Sequence, residues 1–305
     1  MDCINVPLPY SILFPPSGLF LSAHFTSALS VNPPLRKLSL KNFTPSTAAI
    51  RATSRKRLSF LIAFHLSGTR NLKHFYLFYV CKHLKNDFPN LVSYNRFVEL
   101  QQKIAMPLVV FLKVCRTGKC SGISLIDSTT LKVCHIKRER QNRVFRGTAT
   151  KGCGTLGWFF GFKLHLIIND KGEIISFVIT QGNVDDRQPL KLESFIRAVS
   201  GKLYGDKGYI SKELSEILFC DGIHLVTKMR NNMKGGEIPL KDRLMLRKRA
   251  VIDELKNICQ IEHTRHRCFT NFITNLIAGL LAYSFLPKKP SIKVQVVEDK
   301  QIRLF

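Results

Sequence analysis

A chain of 305 residues that is 45% hydrophobic can bury a real core in one or two domains, which excludes a wholly disordered protein. Its 47 Lys and Arg against 21 Asp and Glu leave a net charge of +26, so the expected partner is a polyanion, nucleic acid before an anionic membrane. The nine cysteines contain no Cys-x-x-Cys pair, and neither Cys115 with Cys120 nor Cys134 beside His135 has zinc spacing; they read as reduced packing thiols of a cytosolic protein.

Residues 1–57 stand apart. They are rich in Ser, Pro and Thr, carry Asp2 as their one acid, and close on the cluster Arg51, Arg55, Lys56 and Arg57. Asp2 and the prolines Pro7, Pro9, Pro15 and Pro16 argue against a signal peptide. The segment reads either as a disordered basic arm on DNA or as a non-native stretch never selected to fold. Residues 58–115 read as a small helical head. Leu61, Phe64 and His65, then Phe75, Phe78, Tyr79 and Cys81, recur at helical spacing. Pro89-Asn90 breaks the pattern, and Ser93 can cap a new helix through Leu100. Lys82, Lys85, Arg96 and Lys103 make a helix-turn-helix-like DNA-binding unit one reading and a solvated helical subdomain the other.

From residue 121 the pattern changes to strands. Strands are expected at Gly122–Ile126, Gly161–Ile168 and Glu173–Thr180, the last two joined by the turn Asn169–Gly172. A helix follows at Pro189–Val199, a strand at Lys202–Tyr204, a helix at Ser211–Phe219 and a strand at His224–Thr227. Two helices close the domain near Arg243–Cys259 and Asn271–Leu286, so that it spans 116–291, with a tail at 292–305. No stretch reaches the ~18 apolar residues of a membrane helix. The order βββαβαβα is that of the ribonuclease-H-like α/β fold, a mixed sheet with flanking helices.

Two carboxylates leave the C-terminal ends of apolar runs in this reading: Asp127 after Ile123–Ile126 and Asp206 after Leu203-Tyr204-Gly205. Carboxylates held side by side by one sheet can clamp divalent metal, and in a basic chain that points to chemistry on a phosphate backbone. Lys207 and Tyr209 flank Asp206 as candidate phosphate contacts. Arg138, Arg140, Arg143, Arg146 and Lys151 form a basic stretch with Glu139 against them, suited to backbone tracking. Lys163 and His165 alternate with Phe162 and Leu164, so they share a face, toward DNA or simply toward solvent. His263, Arg265, His266 and Arg267 have no zinc spacing and read as phosphate-facing.

Six runs carry a family resemblance: Phe88–Phe97, Ile126–His135, Gly157–Leu166, Gly182–Pro189, Gly205–Tyr209 and Ile261–Arg267. Over roughly residues 58–291 the chain resembles the DDE transposases of bacterial insertion sequences, in the group numbered 982 of the IS4-like class. The resemblance implies a transposase that cuts and joins element ends by two-metal phosphoryl transfer with Mg²⁺ or Mn²⁺. Asp127 and Asp206 would be its first two catalytic acids. It also implies DNA partners (inverted-repeat ends and target), a homodimer on DNA, no membrane, and a bacterial, nucleoid-associated cytoplasmic location. The family's third acid sits in a helix beginning Arg-Lys-Arg. Here Arg247-Lys248-Arg249-Ala250-Val251-Ile252-Asp253-Glu254-Leu255-Lys256 is about four residues short and lacks the usual Glu. Glu254, with Asp253 as the alternative, is the expected third ligand, and Arg249 a DNA contact; both acids also suit an ordinary solvent-facing helix. The copy is then a degenerate transposase, an inactive DNA-binding remnant, or a nuclease that hydrolyses without joining.

Overall fold

The computed structural model describes residues 48–86, 88, 90–154, 157–228, 239, 242, 250–262 and 266–290. Most of the 1–57 segment, Arg249, His263, Arg265 and the 292–305 tail fall outside them.

Strand β3 (Gly157–Asn169) organises the sheet. Its run of aromatic and aliphatic residues suits a strand covered on both faces. One edge pairs antiparallel with β1 (Ile123–Cys134). The other edge is shared by β2 (Thr150–Gly154), against Gly157–Gly161, and β4 (Ile174–Gln181), against Phe162–Ile168. Beyond β1 the strands turn parallel: β5 (Gly201–Gly205) joins β1, and β6 (Ile223–Thr227) joins β5. The β3–β4 turn is made by local chemistry. Asn169 Oδ1 accepts from the amides of Lys171 and Glu173 at 3.0 and 2.8 Å, and Gly172 takes φ 76°.

The helices sort by the two-residue period of β3. On one side Phe160, Phe162, Leu164 and Leu166 meet α1 (Ala48–Leu66), α7 (Ala250–Asn257) and α8 (Phe269–Ser284). On the other, Ile167 with Ile126 meets α5 (Glu193–Ile196) and α6 (Lys212–Cys220). The remaining N-terminal helices are α2, α3 (Tyr94–Gln101) and α4 (Ala105–Cys115). Helix α2 is continuous through Leu72–His74, a π-helical stretch Phe75–Val80, and Cys81–His83. Ser93 caps α3 as expected, its hydroxyl accepting from the Arg96 amide at 3.4 Å. Phe60, Leu61, Phe64, Tyr76 and Phe97 join the core that contains Phe272, Leu276 and the inner face of β3. The N-terminal helices and the sheet therefore share one apolar interior, with α8 between them.

Three elements differ from expectation. Strand β1 runs eight residues past Ile126, because Thr129, Leu131 and Val133 keep every second position buried beneath a polar-looking sequence. Asp127 is consequently mid-strand. Strand β2, which includes Lys151 of the basic stretch and was not among the expected strands, pairs with the first residues of β3. The expected Pro189–Val199 helix is a 3₁₀ turn, Gln188–Lys191, followed by the single turn of α5.

Candidate active site

The register of the parallel pair brings the two acids together. Leu125 of β1 stands opposite Tyr204 of β5, the last pair of that register, so Asp127, two residues further along β1, and Asp206, the residue just after β5, leave this pairing at the same end. Their even offset keeps both on the side of Leu125 and Tyr204. Asp127 also stands opposite Leu166 of β3, on the side covered by α7 and α8. The Ser128 amide donates to Asp127 Oδ1 at 2.8 Å and orients that carboxylate. Asp206 begins a 3₁₀ turn, Lys207–Tyr209, with its side chain 39% exposed and Lys228 Nζ 4.0 Å from Oδ1.

Directly behind the pair lies a polar cluster that sequence reasoning missed. Its centre is Asp186. Oδ1 accepts from Lys163 Nζ at 3.0 Å, and Oδ2 accepts from the Ser128 hydroxyl at 3.2 Å. Lys163 also donates to the Val184 carbonyl at 2.8 Å and keeps only 13% of its side chain exposed. The neighbouring Asp185 is held outward by a bidentate Arg187, whose hydrogen bonds pull its pKa down to about 2. Tyr209 packs beneath Gly205 and Ile126 with its hydroxyl enclosed and without a well-formed hydrogen bond. Burial, then the charge of Asp186, then Asp127 and Asp206, hold its phenol above the ordinary range. All three carboxylates thus lie within electrostatic reach of one hydroxyl. His165 is fully buried, its Nε2 2.9 Å from the Thr180 hydroxyl, and burial lowers its pKa to about 4.

A family model described as a transposase DDE domain matches residues 117–269, about half of the chain. The chain belongs to the DDE transposase domain family. No curated protein matches it. Among solved structures the chain is similar to a piggyBac transposase in a synaptic complex with hairpin DNA, at 10% identity and a TM-score of 0.48, covering 80% of this chain and 67% of that one.

Within this transposase domain the expected DNA contacts divide. Arg138, Arg140, Arg143, Arg146 and Lys207 are exposed. Lys163, His165 and Tyr209 are not at the surface. The first is tied to Asp186, and the other two are buried, because the face that Lys163 and His165 share is covered by the 182–187 loop, α5 and α6. The signal that could have found Asp186 was the pair Asp185-Asp186 just after a strand in a chain poor in acids.

The expected third acid, Glu254, lies on α7, one of the helices that cover the Asp127 side of the sheet. Val251, Ile252 and Leu255 anchor α7 in the core, and Asp253 points to solvent. Glu254 is partly buried, with Oε2 enclosed and unbonded, and burial raises its pKa against the pull of Lys289. Its charge reaches Cys259 and Tyr283. Tyr283 donates to the Gly172 carbonyl at 2.6 Å, and Lys289 lies against Gly172, so these neighbours belong to the β3–β4 turn end of the sheet. That end pairs with Ser124, roughly 10 Å along β1 from Asp127 at the usual strand rise. Among the described residues no group of three or more His, Cys, Asp or Glu is arranged to hold a metal ion. No described helix is long and apolar enough to cross a membrane.

Proposed function

We propose that this protein is a transposase that cuts and joins DNA at the ends of a mobile element, with Asp127 and Asp206 as its first two catalytic acids. The observation that carries the reading is that Asp127 and Asp206 each stand two residues beyond the parallel Leu125–Tyr204 pair and both act on the Tyr209 phenol, in a chain of net charge +26. Two solvent-reachable carboxylates side by side are hard oxygen donors and fit Mg²⁺ or Mn²⁺. Such an ion, when bound, polarises the phosphate and lowers the pKa of an attacking hydroxyl. The chain's own residues do the rest. The Ser128 amide orients Asp127, and exposed Lys207 adjoins Asp206 to receive a phosphate oxygen. Arg138, Arg140, Arg143 and Arg146 hold the backbone on either side. The runs that resemble the insertion-sequence group numbered 982 support that finer assignment, and with it a homodimer on paired inverted repeats in a bacterial cytoplasm.

The deciding experiment is a strand-nicking and joining assay with Mg²⁺ or Mn²⁺ on DNA carrying the element ends, with binding measured in parallel. Asp127→Asn and Asp206→Asn should each lower cleavage at least ~100-fold, since a lost metal contact removes several kcal/mol of transition-state stabilisation. Both variants should bind DNA as well as the parent. Cleavage that survives Asp127→Asn would sink the reading.

A second reading is favoured by the surroundings of Glu254, whose partly buried carboxyl is held above its ordinary range by burial: a protein that binds element ends without completing the metal site. The same assay separates the two. If the parent cleaves and Glu254→Gln abolishes cleavage, Glu254 is the third acid. If the parent binds and does not cleave, and an Ile-Ile-Glu-Ser insertion after Ala250 restores cleavage, the short α7 is the defect.

A further inference from the structure

Trp158 is the sole tryptophan of the chain, and it is 62% exposed on the β2–β3 pair. Its strand neighbours Phe159, Phe160 and Phe162 are all buried. An indole left in water forgoes a large burial gain, and at this strand position its face stands open to a partner. Among the described residues no other ring stacks on it; its one ring-face neighbour is Lys151, with Nζ 4.9 Å from the centroid. Phe78 is comparably exposed beneath Lys82, but its ring already stacks on His74 at 4.6 Å.

The surroundings select the partner. From Lys132 to Lys151 the chain holds seven Lys or Arg and a single acid, Glu139. The 3₁₀ turn Ile136–Gln141 packs on β3, and Arg146 donates to the Arg140 carbonyl at 3.2 Å, which folds the basic loop back beside the strand pair. A second copy of a chain with net charge +26 would be repelled from this surface, whereas a phosphate backbone would be drawn to it. Paired bases in a duplex already have their faces stacked and offer only edges in the grooves. A bare indole face fits the face of an unpaired base, with no demand on base identity.

We propose that Trp158 is a stacking platform for an unpaired base of bound DNA, with Lys151 swinging from the ring to an adjacent phosphate. This rests on the DNA-processing reading above. Trp158 lies on the same side of β3 as Leu166, the partner of Asp127. It is eight residues away, roughly 27 Å at the usual strand rise. The stacked base is therefore well separated from the bond that is cut, and the platform acts by holding an opened end in register.

The sole tryptophan makes the test direct. The full chain is titrated with a forked DNA bearing a short single-stranded tail and with a blunt duplex of the same sequence. Intrinsic emission reports the indole, and anisotropy of a labelled strand reports total binding. The forked DNA should quench the emission and the blunt duplex should leave it nearly unchanged. Trp158→Phe should keep the affinity for the fork. Trp158→Ala should lose it about tenfold, equivalent to ~1.4 kcal/mol and within the range of one base–aromatic stack, with little change on the blunt duplex. Anisotropy that rises with no emission change overturns the platform and leaves the DNA reading standing, as does equal quenching by both DNAs. An emission shift that follows protein concentration without DNA assigns the indole to a contact between copies and overturns it too. If neither DNA raises the anisotropy, both readings fall.

Discussion

His165 carries a cost that a buried histidine cannot avoid. In the fold it is neutral, with a pKa near 4, while in the unfolded chain it titrates near its ordinary 6.5. Between those values the unfolded state holds more protons, so stability falls as pH drops through that window and levels off below it. His266, also lowered to about 4, and His65, lowered by burial against the Cys259 carbonyl, push the same way. Denaturant midpoints measured from pH 7 to pH 4 should therefore decline, His165 alone contributing up to about 3 kcal/mol. In His165→Gln the slope should be shallower; an unchanged slope would mean that this ring is not the titrating group. Residue chemistry was only partly legible in the sequence. Asp127 and Asp206 announced themselves as lone acids beside apolar runs. Asp186 did not, because which of two consecutive acids turns inward is decided by Arg187 clamping Asp185 from outside. Tyr209 looked like a phosphate contact by adjacency to Asp206, yet the turn that follows β5 carries its ring under the sheet.

At the scale of the element, α8 is deeply enclosed, with Leu276, Ile277, Leu280 and Leu281 all inaccessible. Gly279 is required by a close approach, since a Cβ there would stand 2.8 Å from Ile261 Cγ2. Leu280→Ala should lower stability by about 2–5 kcal/mol, with the spread set by how far the cavity collapses. Chemical denaturation checks this, and a loss below 1 kcal/mol would mean that the site is less tightly packed than it stands here. Such a helix was visible in the sequence as an apolar run, interrupted by Asn275 and Ser284, that reads as buried. The length of β1 was not. Its second half reads Ser128-Thr129-Thr130-Leu131-Lys132, and the polar side chains hide the fact that alternate positions are buried against α1 and α8. Strand β2 was hidden for a different reason. Short, glycine-containing and exposed on alternate residues, it exists because β3 extends far enough to template it, and a partner strand that distant leaves no local mark.

For the whole molecule, the net charge of +26 should govern the proposed contact with DNA. Contacts to about six phosphates should cost roughly 10³ in affinity between 50 and 200 mM salt. Replacing Arg140 and Arg143 by alanine should reduce the slope of log K against log salt by about two. A slope unaffected by the pair would remove that loop from the interface. The fold class was legible from element order, because strand and helix periods alternate in one recognisable sequence. The joining of the two halves was not, since nothing local in Phe60, Leu61 or Phe97 says that they pack on the same helix as Leu164 and Leu166. That joint has a genetic consequence. On the proposed reading, damage at Asp127 should separate functions, leaving a product that still grips DNA and can occupy element ends in competition with an intact copy. Damage in α8 undoes the N-terminal helices and the sheet together, so it leaves no such competitor. Inactivated copies of this protein should therefore fall into two kinds, dominant ones altered near the carboxylates and recessive ones altered in α8.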